Sequence, residues 1–211
     1  MSKKLLPLAF SLAGVVLATS ACAPAKPDAS AASATSASAA ATGSSPAAPA
    51  TSGWELKRQS SAERIAAAGL AVLTAEGAAE HFHAHLDVFV DGSAIAVPAD
   101  IGFSFGATGK PNGISALHTH DQSGSIHIEA PVVGDTYTLG QLLTQWGVLD
   151  GTDKSAGTAH SGVDGWVVAV NGTKQAGSIK DVVLKAHDEV VLAYGAAPDP
   201  LPTAFEFPGG L

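Results

Sequence analysis

The chain has 211 residues, a formal net charge of −8 at pH 7, and only one cysteine and one methionine. No cluster of Lys or Arg is long enough to follow a phosphate backbone, so nucleic acid is excluded as a partner. One cysteine leaves no disulfide framework and no thiolate metal site, and one methionine excludes a Met-rich Cu(I) carrier.

Residues 1–21 have the layout of an export signal: Lys3 and Lys4, an apolar stretch from Leu5 to Leu17, then small residues from Ala18 to Ala21. That stretch is too short and wrongly flanked for a spanning helix. Leu17-Ala18-Thr19-Ser20-Ala21 ahead of Cys22 resembles the lipobox of bacterial lipoproteins. The resemblance implies acylation at Cys22 and an extracytoplasmic protein anchored to the cell membrane by lipid. Cleavage after Ala21 without acylation, giving a secreted protein, is the alternative. Residues 22–53 are almost wholly Ala, Ser, Thr and Pro, a composition that buries too little apolar surface to offset ordering entropy, and they read as a disordered, flexible tether. Residues 54–211 suffice for a single domain with its own core.

Ser61 to Leu73 carries apolar residues at helical spacing behind a serine, which predicts a short helix packed as a lid or flank. From His81 the period changes to two. Phe82, Ala84, Leu86, Val88 and Val90 take one face of a strand, and His81, His83, His85, Asp87 and Asp91 the other. Asp91-Gly92 turns the chain, and Ala94 to Pro98 returns as a hairpin strand. Residues 102–115, rich in Gly, Ser and Asn, read as a long loop. Leu117 to His120 and Ser125 to Ala130 form a second hairpin around Asp121-Gln122-Ser123-Gly124.

Thr138-Leu139-Gly140-Gln141 has capping-box spacing, and Leu139, Leu142, Leu143 and Trp146 follow at i, i+3, i+4 and i+7, predicting a helix that ends near Gly147. Trp166 to Val170 and Glu189 to Ala193 read as strands, the first followed by an Asn171-Gly172 turn. Trp54, Trp146 and Trp166 read as core or rim residues.

The run Thr-Leu-x-x-Leu-Leu from Thr138, then Val168-Ala169-Val170-Asn171-Gly172, then Leu-x-x-x-Asp-Glu-Val-x-Leu from Leu184 resembles the β-grasp pattern of small sulfur-carrier proteins. The resemblance covers about the last half of the chain. It implies an α+β fold, a β-grasp-like mixed sheet with one packed helix, to which the N-terminal helix is added. The carrier activity is not carried over, because those proteins end in a free Gly-Gly and this chain ends Gly209-Gly210-Leu211.

Six of the eight histidines lie in three alternating runs, at His81, His83 and His85, at His118 and His120, and at His127, each run opposite an apolar face. With Asp121 to Gly124 as a four-residue loop, residue 120 pairs with 125 and His118 lies across from His127, Cβ atoms about 4.5–5.5 Å apart. From there two imidazoles can converge on one ion at about 2.0–2.1 Å. A neighbouring His81-to-His85 strand then supplies more ligands than one four-coordinate ion uses, so either two ions bind or some imidazoles support the others from outside.

Asp121, Glu129 and Asp87 are candidates to accept the free ring N–H of a ligating histidine, and Glu129 is also a candidate ligand. His160 and His187 stand alone and read as non-ligands. Imidazole with carboxylate suits a divalent transition metal, with Cu(II) and Zn(II) foremost.

His-x-His-x-His-Leu at His81, Leu-His-Thr-His-Asp at Leu117, Ile-His-Ile-Glu at Ile126 and Leu-Gly-x-x-Leu-x-x-Trp-Gly at Leu139 resemble the shared features of a histidine-rich family of exported bacterial and archaeal proteins. That family has no settled function, and the resemblance implies only a common histidine site.

The reading is therefore a non-catalytic lipoprotein that captures, buffers or senses a divalent metal, its partners being the ion, the membrane and an envelope protein. Two alternatives stay open: a metal-dependent enzyme with cupin-like oxygenase or hydrolase chemistry, and a β-grasp interaction module that responds to pH. No catalytic residue is assigned, since neither a nucleophile with its base nor a His-Glu-x-x-His run is found.

Overall fold

A computed structural model of the chain describes residues 48–149, 159–209 and 211. The export signal, Cys22 and the tether up to residue 47 lie outside the described residues. In chain order the elements are α1 (Ser61–Ala67), β1 (Glu80–Val90), β2 (Ser93–Ile95), β3 (Phe103–Phe105), β4 (Pro111–Ile114), β5 (Leu117–His118) and β6 (Ser125–Ala130). There follow α2 (Leu139–Trp146), β7 (Trp166–Val170), β8 (Thr173–Lys174), a 3-10 turn (Ile179–Asp181) and β9 (Glu189–Tyr194).

The fold is α+β, with one mixed sheet in the order β5-β6-β1-β9-β7-β8 and β2 paired to β1. β1 lies at the centre, antiparallel to β6 and parallel to β9, and β9 runs antiparallel to β7. The first long strand thus sits beside the last, with α2 between them in sequence.

Alternation on β1 decides which face goes where. Ala84, Leu86 and Val88 enter the core with Ile126 and Ile128 of β6, Val190 and Leu192 of β9, and Leu139, Leu142, Leu143 and Trp146 of α2. Moving β1 by one residue would turn its apolar set away from α2, at about 1.5–3 kcal/mol for each large side chain exposed. The greasy side therefore sets the register, and the register places the histidines.

α2 starts at a complete capping box, Thr138 with Gln141, and stops at Gly147, whose φ of 82° is left-handed. α1 is shorter than the periodicity suggests: it ends at Ala67, because Gly69 turns left-handed at φ 74°. Its N-cap is Ser60, which makes no side-chain cap bond, while Ser61 Oγ accepts from the Phe105 backbone N–H.

Four segments differ from expectation. The strand read as Leu117 to His120 is β5, which stops at His118 because the Thr119 N–H bonds to the Ile101 carbonyl instead. Residues 102–115 are not a bare loop but carry the β3–β4 sheet, and Leu73 exchanges backbone hydrogen bonds with Ile114 at its edge. The return strand β2 spans Ser93–Ile95 rather than Ala94 to Pro98. Ala50, assigned above to the tether, donates to the Ala94 carbonyl and accepts from the Ala96 N–H. All three tryptophans are buried.

Candidate metal centre

β6 is the pivot of the polar face. Its pairing with β1 sets His127 opposite His83 and Glu129 opposite His81, and its pairing with β5 sets His127 opposite His118. His127 is therefore flanked by an imidazole on either neighbouring strand, its ring centroid 4.5 Å from that of His83 and 5.4 Å from that of His118.

Four donor atoms close a ring. His81 Nε2 lies 3.0 Å from His83 Nε2, which is 3.1 Å from His127 Nδ1; Glu129 Oε1 completes the circuit at 3.7 Å from His127 Nδ1 and 3.1 Å from His81 Nε2. A tetrahedral ion with bonds of about 2.0–2.1 Å holds its donors about 3.3–3.4 Å apart, so the ring has the edge lengths of a coordination polyhedron. Imidazole–imidazole hydrogen bonds account for less of it. A ring nitrogen carries either one proton or one lone pair, yet His83 Nε2 approaches two other ring nitrogens.

A second set of donors adjoins the first. His118 Nε2 is 3.1 Å from His120 Nε2, and Glu76 Oε1 is 3.4 Å from His120 Nε2 and 4.0 Å from His118 Nε2. His118 Nδ1 lies 2.9 Å from the Ser115 carbonyl oxygen. A carbonyl only accepts, so Nδ1 holds the proton and the Nε2 lone pair faces the site.

Three overlapping groups have donors all within 4.8 Å of one another: His81, His83, His127 and Glu129; His118, His120 and His127; and Glu76, His118 and Glu129. These buried His and Glu groups can hold a metal ion.

The cluster is deep on one side and open on the other. His83, His118, His127 and Glu129 are buried, while the side chains of His81, His120 and Glu76 are 52%, 41% and 49% exposed. Phe103 of β3 stands edge-on to both His118 and His120, at 5.8 and 5.6 Å between ring centroids. The segment after β9 adds Phe207, 6.3 Å from His83.

Burial sets the protonation states. Desolvation, only partly offset by the Ser115 bond, drives the His118 pKa down to about 3, and desolvation with the neighbouring imidazoles takes His127 down to about 4. Desolvation and then the His81 charge lower His83. Desolvation and the facing Glu76 raise Glu129. At neutral pH these three imidazoles are neutral, the form a metal requires.

Not every expected residue joins the cluster. His85 turns away, its Nδ1 2.8 Å from Glu189 Oε2 and its Nε2 2.8 Å from the Ser123 carbonyl oxygen, with its ring stacked on Phe205 at 3.7 Å. The reason lies in its neighbours: His85 pairs with Ser125 on one side and Glu189 on the other, so the attractive partner is on β9.

Asp87 joins this second trio instead of orienting a cluster histidine. The Asp121 carboxylate accepts from the Ser123 backbone N–H; the Ser123 hydroxyl, and then that N–H, hold its pKa low, and it touches the cluster only through its charge. His160 packs its ring against Trp54, 4.1 Å between centroids, and His187 lies against Phe207.

Glu76 and Glu189 escaped the sequence reading. Glu76 sits in a non-periodic loop and gives no signal. Glu189 could have been found by counting register once the first and last strands were taken as parallel neighbours. No protein-family model, curated protein or solved structure matches the chain.

Proposed function

We propose that the chain is a non-catalytic, extracytoplasmic binding protein for a divalent transition metal, Cu(II) or Zn(II), which it captures, buffers or senses. The observation that carries this reading is the donor ring of His81, His83, His127 and Glu129. His83 and His127 are held neutral by burial, so an ion need displace few protons on entry, and the divalent charge offsets the paired carboxylates Glu76 and Glu129.

An exposed edge at His81, His120 and Glu76 suits loading and release better than permanent sequestration. A cation entering there meets half-solvated ligands first and the buried His83 and His127 afterwards. Anchoring through lipid on Cys22, with residues 22–53 as tether, membership of the exported histidine-rich family and delivery to an envelope partner belong to the same proposal.

The test uses protein produced without a His tag. Metal content is measured by mass spectrometry, and affinity by titration with Zn(II) and Cu(II) against a competing chelator. Stoichiometric, reversible binding without turnover is the expected result. No bound metal at any pH would favour an interaction module, and a metal-dependent reaction on an added substrate would favour an enzyme.

A further inference from the structure

We propose that His85, Asp87 and Glu189 form a second divalent cation site on the polar face, separate from the imidazole cluster and independent of whether that cluster binds metal. Their donor atoms lie within 4.8 Å of one another. The fold assembles them without a loop: β1 supplies His85 and Asp87 two residues apart on one face, and the parallel register with β9 sets Glu189 beside His85.

The geometry around His85 is that of a ligand held from behind. Its Nε2 faces the Ser123 carbonyl, which only accepts, so Nε2 carries a proton; Nδ1 is ion-paired with Glu189 Oε2 at 2.8 Å, and a cation entering there takes the place of the Nδ1 proton. The 121–124 turn is pressed close: a Cβ on Gly124 would sit 2.8 Å from His85 Nε2, and the Leu86 N–H donates to the Gly124 carbonyl. Glu189 is fixed as well, because its backbone N–H donates to Asn171 Oδ1 at 2.8 Å.

An unpaired atom points to the ligand. Glu189 is 1% exposed, and its Oε1 is buried without a hydrogen-bond partner. A buried carboxylate oxygen left unsatisfied is costly. Asp87 adds a second carboxylate, and one imidazole neutralises only one of the two. A divalent cation between them answers both charges and uses the idle oxygen. One nitrogen and two carboxylates make a harder donor set than the first cluster, one that suits Mn(II) or Fe(II).

The experiment titrates the full chain, untagged, with Mn(II), reading free Mn(II) by electron paramagnetic resonance and the melting temperature alongside. Wild type and His127→Ala should each bind one Mn(II) at this site and melt higher with it. Adding Glu189→Gln to His127→Ala should weaken that binding at least about tenfold and remove the ion-dependent shift. Asp87→Asn should do the same and serves if the Glu189 variant does not fold.

Failure of Mn(II) to bind His127→Ala, or binding that survives both carboxylate changes, overturns the proposal. So does a loss of stability in Glu189→Gln that is equal with and without the ion, the mark of an ion pair alone. Failure of the imidazole cluster reads out separately, as Cu(II) or Zn(II) binding to Glu189→Gln that is unchanged when His127→Ala is added.

Discussion

His83 and His127 face each other across β1 and β6, with His83 Nε2 3.1 Å from His127 Nδ1. His127 also belongs to the group containing His118 and His120, so one side chain serves both halves of the cluster.

This sharing ranks the ligands. His127→Ala should weaken Zn(II) or Cu(II) binding by more than about a hundredfold, beyond what loss of a supporting residue produces. His81→Ala, which removes a half-exposed donor from one group only, should cost less. The apolar face is untouched in both, so the apo protein should fold normally by circular dichroism. His160→Ala, against Trp54 and away from the cluster, should leave metal affinity unchanged in the same titration.

Glu76 is held in place by a glycine. The Gly77 N–H donates to the Glu129 carbonyl, and a Cβ on Gly77 would collide with the Ala130 backbone. Gly77→Ala should therefore lift the loop that carries Glu76, destabilising the domain by about 1–3 kcal/mol in urea denaturation. Metal affinity should fall with it, and Glu76→Gln should reproduce the loss of affinity without the loss of stability.

The depressed His118 pKa fixes a pH dependence with a definite sign. The unfolded chain takes up a proton at His118 near pH 6.5, whereas the folded chain resists until about pH 3. Between those values the unfolded state binds more protons, so His118 makes the apo protein less stable as pH falls, by up to about 1.4 kcal/mol per pH unit. His118→Gln has no such proton to take up. Denaturation from pH 7 to pH 4 should show wild type losing stability relative to His118→Gln across that window, with the contribution fully present above pH 6.5.

Phe205 ties the segment after β9 to the polar face by stacking on His85, with ring planes 3° apart. Phe205→Ala should lower stability by about 0.5–1.5 kcal/mol for the lost ring pair, with a further loss for the apolar area uncovered. Thermal melting measures this, and metal binding at His127 should survive it.

Local pattern carried part of this architecture. The four-residue turn at Asp121 to Gly124 fixes His118 against His127 by counting alone, and both are paired so. The capping box and leucine spacing of α2 are equally local. What counting along the chain does not supply is which strands become neighbours.

The parallel union of β1 with β9 draws His85 to Glu189 across 104 positions, and nothing near His85 signals that partner. The β3–β4 pair was hidden because glycine and serine suppress the period-two pattern, although it brings Phe103 to the cluster. The depth of the site was hidden for the same reason. Burial of His83 and His118 depends on segments that cover the sheet from elsewhere in the chain.

X-ray absorption at the metal edge of the Zn(II)- or Cu(II)-loaded, untagged protein tests the central claim most directly. The account predicts a first shell of nitrogen and oxygen only, at about 2.0–2.1 Å, with the outer-shell signature of two or more imidazoles that is lost in His127→Ala. A shell of oxygen alone, or an imidazole signature unchanged in His127→Ala, would contradict it.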